Sequence, residues 1–142
     1  MSADLVRQLA KGNEQYKKNF KGTFSFKEFP EQKGIIILSC LDPRADPKDL
    51  WNLTANVAII RNAGGRAKDA LRSMEALASL LSGGLGAIAV IHHADCGLGP
   101  NNFHDNHVVQ RRLKDRLGAG SDVAAQIDET DFGGFAETQW SC

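Results

Sequence analysis

The sequence predicts an α/β fold, a short parallel β-sheet flanked by helices. Three observations carry that reading. Residues 34–41, 56–61 and 86–92 form short runs that are apolar on consecutive positions rather than alternate ones, the pattern of strands covered on both faces. Between the second and third runs, Ala67, Ala70, Leu71, Met74, Leu77, Ala78 and Leu81 recur at spacings of three and four, as on one side of a helix. Strand, helix and strand in that order make a right-handed parallel crossover.

The elements follow in chain order. Leu5, Val6, Leu9, Tyr16 and Phe20 recur at roughly helical spacing but are interrupted at Gly12-Asn13, so one or two amphipathic helices are expected over residues 3–20. Residues 21–33 are rich in Phe, Lys and Glu. Phe24, Phe26 and Phe29 are costly to leave in water, which predicts a loop packed on something, with another subunit as a candidate. The crossover helix should run from about 68 to 82 and end at Gly83-Gly84. A further helix over about 105–117 would turn Val109, Leu113 and Leu117 inward and Arg111, Arg112, Lys114 and Arg116 outward, as a solvated basic face. Beyond Gly118 the periodicity weakens and no strand is evident. The 142 residues are read as one domain, with a helical arm over about 1–33, a core over 34–118 and a tail over 119–142.

The bulk chemistry excludes several classes. Seventeen basic and 17 acidic side chains cancel, so no net field recommends nucleic acid or an anionic membrane as partner. No apolar run approaches the roughly 20 residues of a membrane span, and residues 1–20 have the character of neither a signal nor a transit peptide, which predicts a cytoplasmic protein. Three cysteines in a chain of this size argue against a disulfide framework and for a reducing compartment.

In an α/β sheet, reactive groups gather at the carboxyl ends of strands. Each run here ends in unusual residues: Cys40-Leu41-Asp42-Pro43-Arg44, Arg61-Asn62-Ala63-Gly64-Gly65, and His92-His93-Ala94-Asp95-Cys96-Gly97. Alternate residues of an extended chain share a face, so Cys40, Asp42 and Arg44 can point the same way, and Pro43 biases Asp42 away from helix. His93 and Cys96 can converge in a tight turn eased by Gly97 and Gly99. Cys40, His93 and Cys96 together make a Cys2His set of the kind that holds zinc with a fourth position open for chemistry. Competing readings stand beside this one. Asp42 and Arg44 can be a purely structural ion pair, His92 is an alternative ligand to His93, and Gly64-Gly65 can mark a turn only. His104 and His107 read as exposed residues, and Cys142 has no partner implied by spacing. A phosphatase-type nucleophile needs arginine six positions after the cysteine, where this chain has Asp46, and no redox C-x-x-C is present.

C-L-D-P-R-A-D-P, R-N-A-G-G and H-H-A-D-C-G, in this order, resemble the motifs of the β-class carbonic anhydrases over about residues 3–118. The resemblance implies that Cys40, His93 and Cys96 are ligands of Zn2+ and that Asp42 and Arg44 form the catalytic dyad; Gly64 and Gly97 are expected against the substrate. It also implies a homodimer or higher homo-oligomer with embracing N-terminal helices. The C-terminal part is short of the family pattern, which continues beyond a segment like D-F-G-G-F-A-E-T-Q-W into a further helix and strand. The activity implied is reversible hydration of carbon dioxide to bicarbonate and a proton by zinc-bound hydroxide. Hydrolysis of carbonyl sulfide or carbon disulfide on the same fold, and a zinc-binding homologue without catalysis, are the alternatives.

Overall fold

The computed structural model describes residues 2–22, 33–53, 57–81, 83–99, 101–102, 105–118 and 120–134. Phe24, Phe26, Phe29, Asn56, His104 and Cys142 lie outside the described residues. The element order is α1 (Ser2–Asn19), β1 (Gly34–Cys40), α2 (Pro47–Leu50), β2 (Val57–Asn62), α3 (Ala67–Leu80), β3 (Leu85–Ile91), α4 (Asn106–Leu117) and α5 (Ser121–Glu129). Single 3-10 turns, Pro43–Ala45 and Ala63–Gly65, follow β1 and β2. The α/β class with a parallel sheet is borne out.

All three strands are parallel, in the order β2-β1-β3. The first strand in sequence is therefore the central one. Ile36 and Leu38 of β1 are fully buried against Ala70 and Met74 of α3, with Ala58, Ile60, Leu77 and Leu85 packed around them. Burying each of these two side chains contributes roughly 1.5–3 kcal/mol. On the opposite face, Ile35 and Ile37 meet Trp51, Leu53 and Val57 across a shallow cavity. The central strand thus fits the expectation of cover on both faces, but β3 does not. Ile88 and Val90 pair with Ile36 and Leu38 and so share the face that α3 covers, yet they remain 47% and 45% exposed. The reason is placement: α3 packs on β1 and β2 and leaves the β3 edge uncovered.

The first helix is continuous through Gly12. A single glycine costs a helix only about 1 kcal/mol, and exposed Lys17–Glu14 and Arg7–Asp4 pairs stand on either side of it. Its apolar residues Leu5, Val6, Leu9 and Tyr16 are exposed. Among the described residues no helix is long and apolar enough to cross a membrane.

The second helical pair differs most from expectation. Asp105 caps α4 by accepting a hydrogen bond from the His107 backbone N–H at 2.8 Å, and Gly118 ends it in the left-handed conformation, φ 54°. Leu117 is 61% exposed rather than inward, and the buried residue of α4 is Gln110. Gln110 Nε2 donates to the carbonyls of Asp128 and Thr130, at 2.9 and 3.3 Å. Those carbonyls close α5, an element that the weak periodicity beyond Gly118 did not reveal. Lys114 of α4 pairs with Asp128 at 2.5 Å, so the basic face is partly engaged. From there residues 131–132 are tied back to the starts of two helices: Asn106 Oδ1, on α4, accepts from Phe132 N, and Asp131 accepts from Arg66 and Lys68 at the start of α3.

Arg66 holds the Asp131 carboxyl down to about 2, mainly through its hydrogen bonds. A carboxyl depressed in the folded chain contributes stability above its unfolded pKa near 4 and loses it as pH falls through its folded value. Asp131→Asn should therefore be less stable than the parent at pH 7 in urea denaturation, and the difference should close between about pH 4 and pH 2.

Candidate metal centre

Parallel pairing puts Cys40 opposite Asn62, and Ser39 opposite both Arg61 and Ile91, so the three carboxyl strand ends share one edge. Cys40 is the last residue of β1. His93 and Cys96 lie in the turn that follows β3. The structure brings all three together: Cys40 and Cys96 are buried, their Sγ atoms are 3.9 Å apart, and the His93 ring nitrogen completes a set of ligand atoms lying within 4.8 Å of one another.

The donor chemistry fits a metal. Two thiolates on one tetrahedral ion at about 2.3 Å lie roughly 3.8 Å apart, the spacing found here. The carbonyl of Ala94, 3.0 Å from His93 Nδ1, can only accept, which places the proton on Nδ1 and leaves Nε2 with a lone pair. Among the described residues that Nε2 is buried and without a hydrogen-bond partner. Burial raises the Cys96 thiol, and the neighbouring Cys40 raises it further. A cation between the sulfurs reverses that penalty. Cys40, His93 and Cys96 could therefore hold a metal ion.

Asp42 and Arg44 stand beside this set. Pro43 opens the 3-10 turn and Asp42 caps it, its Oδ1 accepting from the Arg44 backbone N–H at 2.9 Å. Arg44 then folds back on its own cap, donating from Nε to Oδ1 at 3.0 Å and from Nη2 to Oδ2 at 2.7 Å. This two-pronged pairing, helped by the backbone bond, holds the Asp42 carboxyl well below the usual carboxylate range. Asp42 Oδ2 lies 3.9 Å from His93 Nε2, so the carboxylate faces the ligand cluster while remaining bound to Arg44. An open cleft of about 390 Å³ is lined by Cys40, Asp42, Ala63, Gly64, Cys96, Gly97 and two leucines, Leu41 and Leu98. Gly64 and Gly97 thus lie on the same cleft as the two thiols. His92 is exposed and outside the ligand set, while His107 bonds Gln110 on α4.

Two residues of the R-N-A-G-G stretch do more than the sequence disclosed. Arg61 lies partly buried at the end of β2, donating from Nε to the Cys40 carbonyl at 3.1 Å and from Nη2 to the Asp42 carbonyl at 2.7 Å, while Nη1 pairs with Asp46 at 2.6 Å. One guanidinium therefore fixes the loop that carries Cys40 and Asp42. The signal was present as an arginine ending an apolar strand, but its partners follow only from the strand pairing. Gly65 has φ +66°, and a Cβ there would come within 3.1 Å of the Cys40 nitrogen and 3.2 Å of the Ile91 carbonyl oxygen. Only glycine lets the second strand end pack this closely on the other two. Asn62 adds two bonds to the Arg66 backbone that fix the entry to α3.

Lysine cannot reproduce the three-way grip of Arg61. Arg61→Lys should lower metal affinity about 10- to 100-fold, as loss of a residue that orients a ligand does. Competition against a chelator of known affinity measures it.

A carbonic anhydrase from Glaciozyma antarctica is 31% identical with a TM-score of 0.64, the match covering 85% of this chain and 68% of that one. A carbonic anhydrase from Streptococcus mutans is 27% identical with a TM-score of 0.68, over 96% of this chain and 75% of that one. A carbon disulfide hydrolase is more distant, 24% identical over 84% of this chain and 55% of that one with a TM-score of 0.47. No family model and no curated protein matches the sequence. The resemblance first carried by three short motifs extends to the parallel sheet and most of the chain: it belongs to the β-class carbonic anhydrase family.

Proposed function

We propose that this chain catalyses the zinc-dependent, reversible hydration of carbon dioxide to bicarbonate and a proton. The observation that supports it most is the Cys40–His93–Cys96 set, with both cysteines buried, and an ionised Asp42, clamped by Arg44, 3.9 Å from His93 Nε2. Zinc held by these three residues would supply a water acidified to near neutrality and a positive charge beside the developing anion.

The remaining work falls to the chain. Asp42, kept ionised by Arg44, can only accept a hydrogen bond. Its Oδ2 therefore takes a hydrogen bond from the attacking water and turns that water's lone pair toward the substrate carbon, an orienting role of the kind worth several kcal/mol. Ala63, Gly64, Gly97 and Leu98 offer a small, largely apolar wall, suited to a linear molecule without charge. Arg44 holds Asp42 by both carboxylate oxygens and so keeps it from rotating into the ligand cluster.

In this reading the protein is a single-domain cytoplasmic lyase that works as a homodimer or higher homo-oligomer. Exposed Leu5, Val6 and Leu9 on α1, and exposed Ile88 and Val90 on β3, support self-association by offering apolar surface for cover.

Cys96→Ser should lose zinc and carbon dioxide hydration together. Asp42→Asn should retain one zinc per chain and lose activity by about a hundredfold or more. Metal analysis beside a stopped-flow hydration assay tests both, and an Asp42→Asn variant with full turnover would overturn the role given to that carboxylate.

A further inference from the structure

The two loops that carry the ligand set are joined by Arg44, and the way Arg44 is held points to residues that the motifs leave without a role. Arg44 Nη2 has two hydrogens. One goes to Asp42 Oδ2 at 2.7 Å, and the other goes to the backbone carbonyl of Asp95 at 3.0 Å. The Asp95 carboxylate lies 3.8 Å from Nη1 on the same guanidinium. Arg44 is 59% exposed, and beyond its two bonds to Asp42 it is the Asp95 carbonyl that ties the Asp42–Arg44 pair to the turn after β3.

Asp95 presents that carbonyl because of its backbone. Its φ is +53°, making it the non-glycine residue with positive φ among the described residues, and it sits between His93 and Cys96 in the turn. Aspartate tolerates this region better than most residues, but nothing in the backbone alone keeps it there. Asn102 does. Its Nδ2 donates to Asp95 Oδ1 at 3.1 Å and to the Cys96 carbonyl at 3.0 Å, so both amide hydrogens are spent on the turn. A continuous line of hydrogen bonds therefore runs from Asn102 through Asp95 and Arg44 to Asp42.

We propose that Asp95 and Asn102 are positioning residues: they lock the His93–Cys96 turn so that its carbonyl grips Arg44 from the side opposite Asp42, holding the carboxylate in register with the ligands. The catalytic consequence rests on the function proposed above, whereas the grip on Arg44 does not. Neither residue itself lines the cleft, and Asn102 meets one lining residue, Cys96, at its backbone carbonyl; the route proposed to the reaction is through Arg44.

The test uses full-length, zinc-loaded protein. Asp95→Gly keeps a residue at ease with positive φ but removes the acceptor for Asn102, Asn102→Ala removes the donor, and Asp95→Asn retains an acceptor oxygen. Zinc content, melting temperature, kcat/KM for carbon dioxide hydration and solvent exchange of the Arg44 Nε–H by 15N NMR are measured on each. The first two variants should keep one zinc and the parental melting temperature. Their Arg44 Nε–H should exchange about tenfold faster, and kcat/KM should fall about tenfold, as expected for a misplaced catalytic group. Asp95→Asn should restore most of both. Parental exchange of Arg44 in Asp95→Gly and Asn102→Ala overturns the proposal, as does a fall in activity with exchange unchanged. Loss of zinc from both variants also overturns it, because the pair would then serve the ligands and not Arg44. Should the parent protein hydrate no carbon dioxide, the proposed function fails while the exchange of Arg44 still decides whether Asp95 and Asn102 hold it.

Discussion

Two buried sulfur atoms, 56 residues apart in the chain and 3.9 Å apart in space, set the terms for the rest of the molecule. Like charges at that distance in a poorly solvated place resist ionisation together, and burial already raises the Cys96 thiol. The arrangement is comfortable only as a neutral pair or as the two thiolates of a metal site. Everything that brings the sulfurs together serves that one contact: a central strand buried on both faces, a third strand in parallel register beside it, and a glycine that lets the second strand end press against both.

Three arginines convert this convergence into a rigid frame. Arg61 fastens the loop after β1 to the end of β2, Arg44 fastens that same loop to the turn after β3, and Arg66 fastens the start of α3 to residues 131–133. Each directs at least part of its planar fork to a carbonyl or carboxylate distant in sequence, a task for which a point charge on a flexible stem is poorly suited. The site is thus held by directional bonds around its rim, while the apolar packing that stabilises the sheet lies below it, at Ile36, Leu38, Ala70 and Met74.

Much of this was legible in the sequence, and what was not has physical causes. The strands, the crossover helix and the Cys–His–Cys set were readable because continuous apolar runs and ligand spacings are local signals. The role of Arg61 was not, because its partners Cys40, Asp42 and Asp46 meet it only through strand register. Helix α5 escaped in part because the contact that closes its end, from the buried Gln110 to the carbonyls of Asp128 and Thr130, is polar and no hydrophobic period records it. The exposure of Ile88 and Val90 escaped for a related reason. An apolar run reports a strand's appetite for burial, whereas which strand the helix covers is a property of the assembled sheet.

The strand order has a consequence for how the chain comes to be folded. During synthesis from the amino end, the most buried strand, residues 34 to 40, emerges before the other two yet occupies the middle of the sheet. One of its edges waits for residues 57 to 62 and the other for residues 85 to 91. Until the last of these leaves the ribosome, Ile35, Ile36, Ile37 and Leu38 present open backbone edges to any chain nearby, the circumstance in which nascent proteins associate wrongly or are sheltered by chaperones.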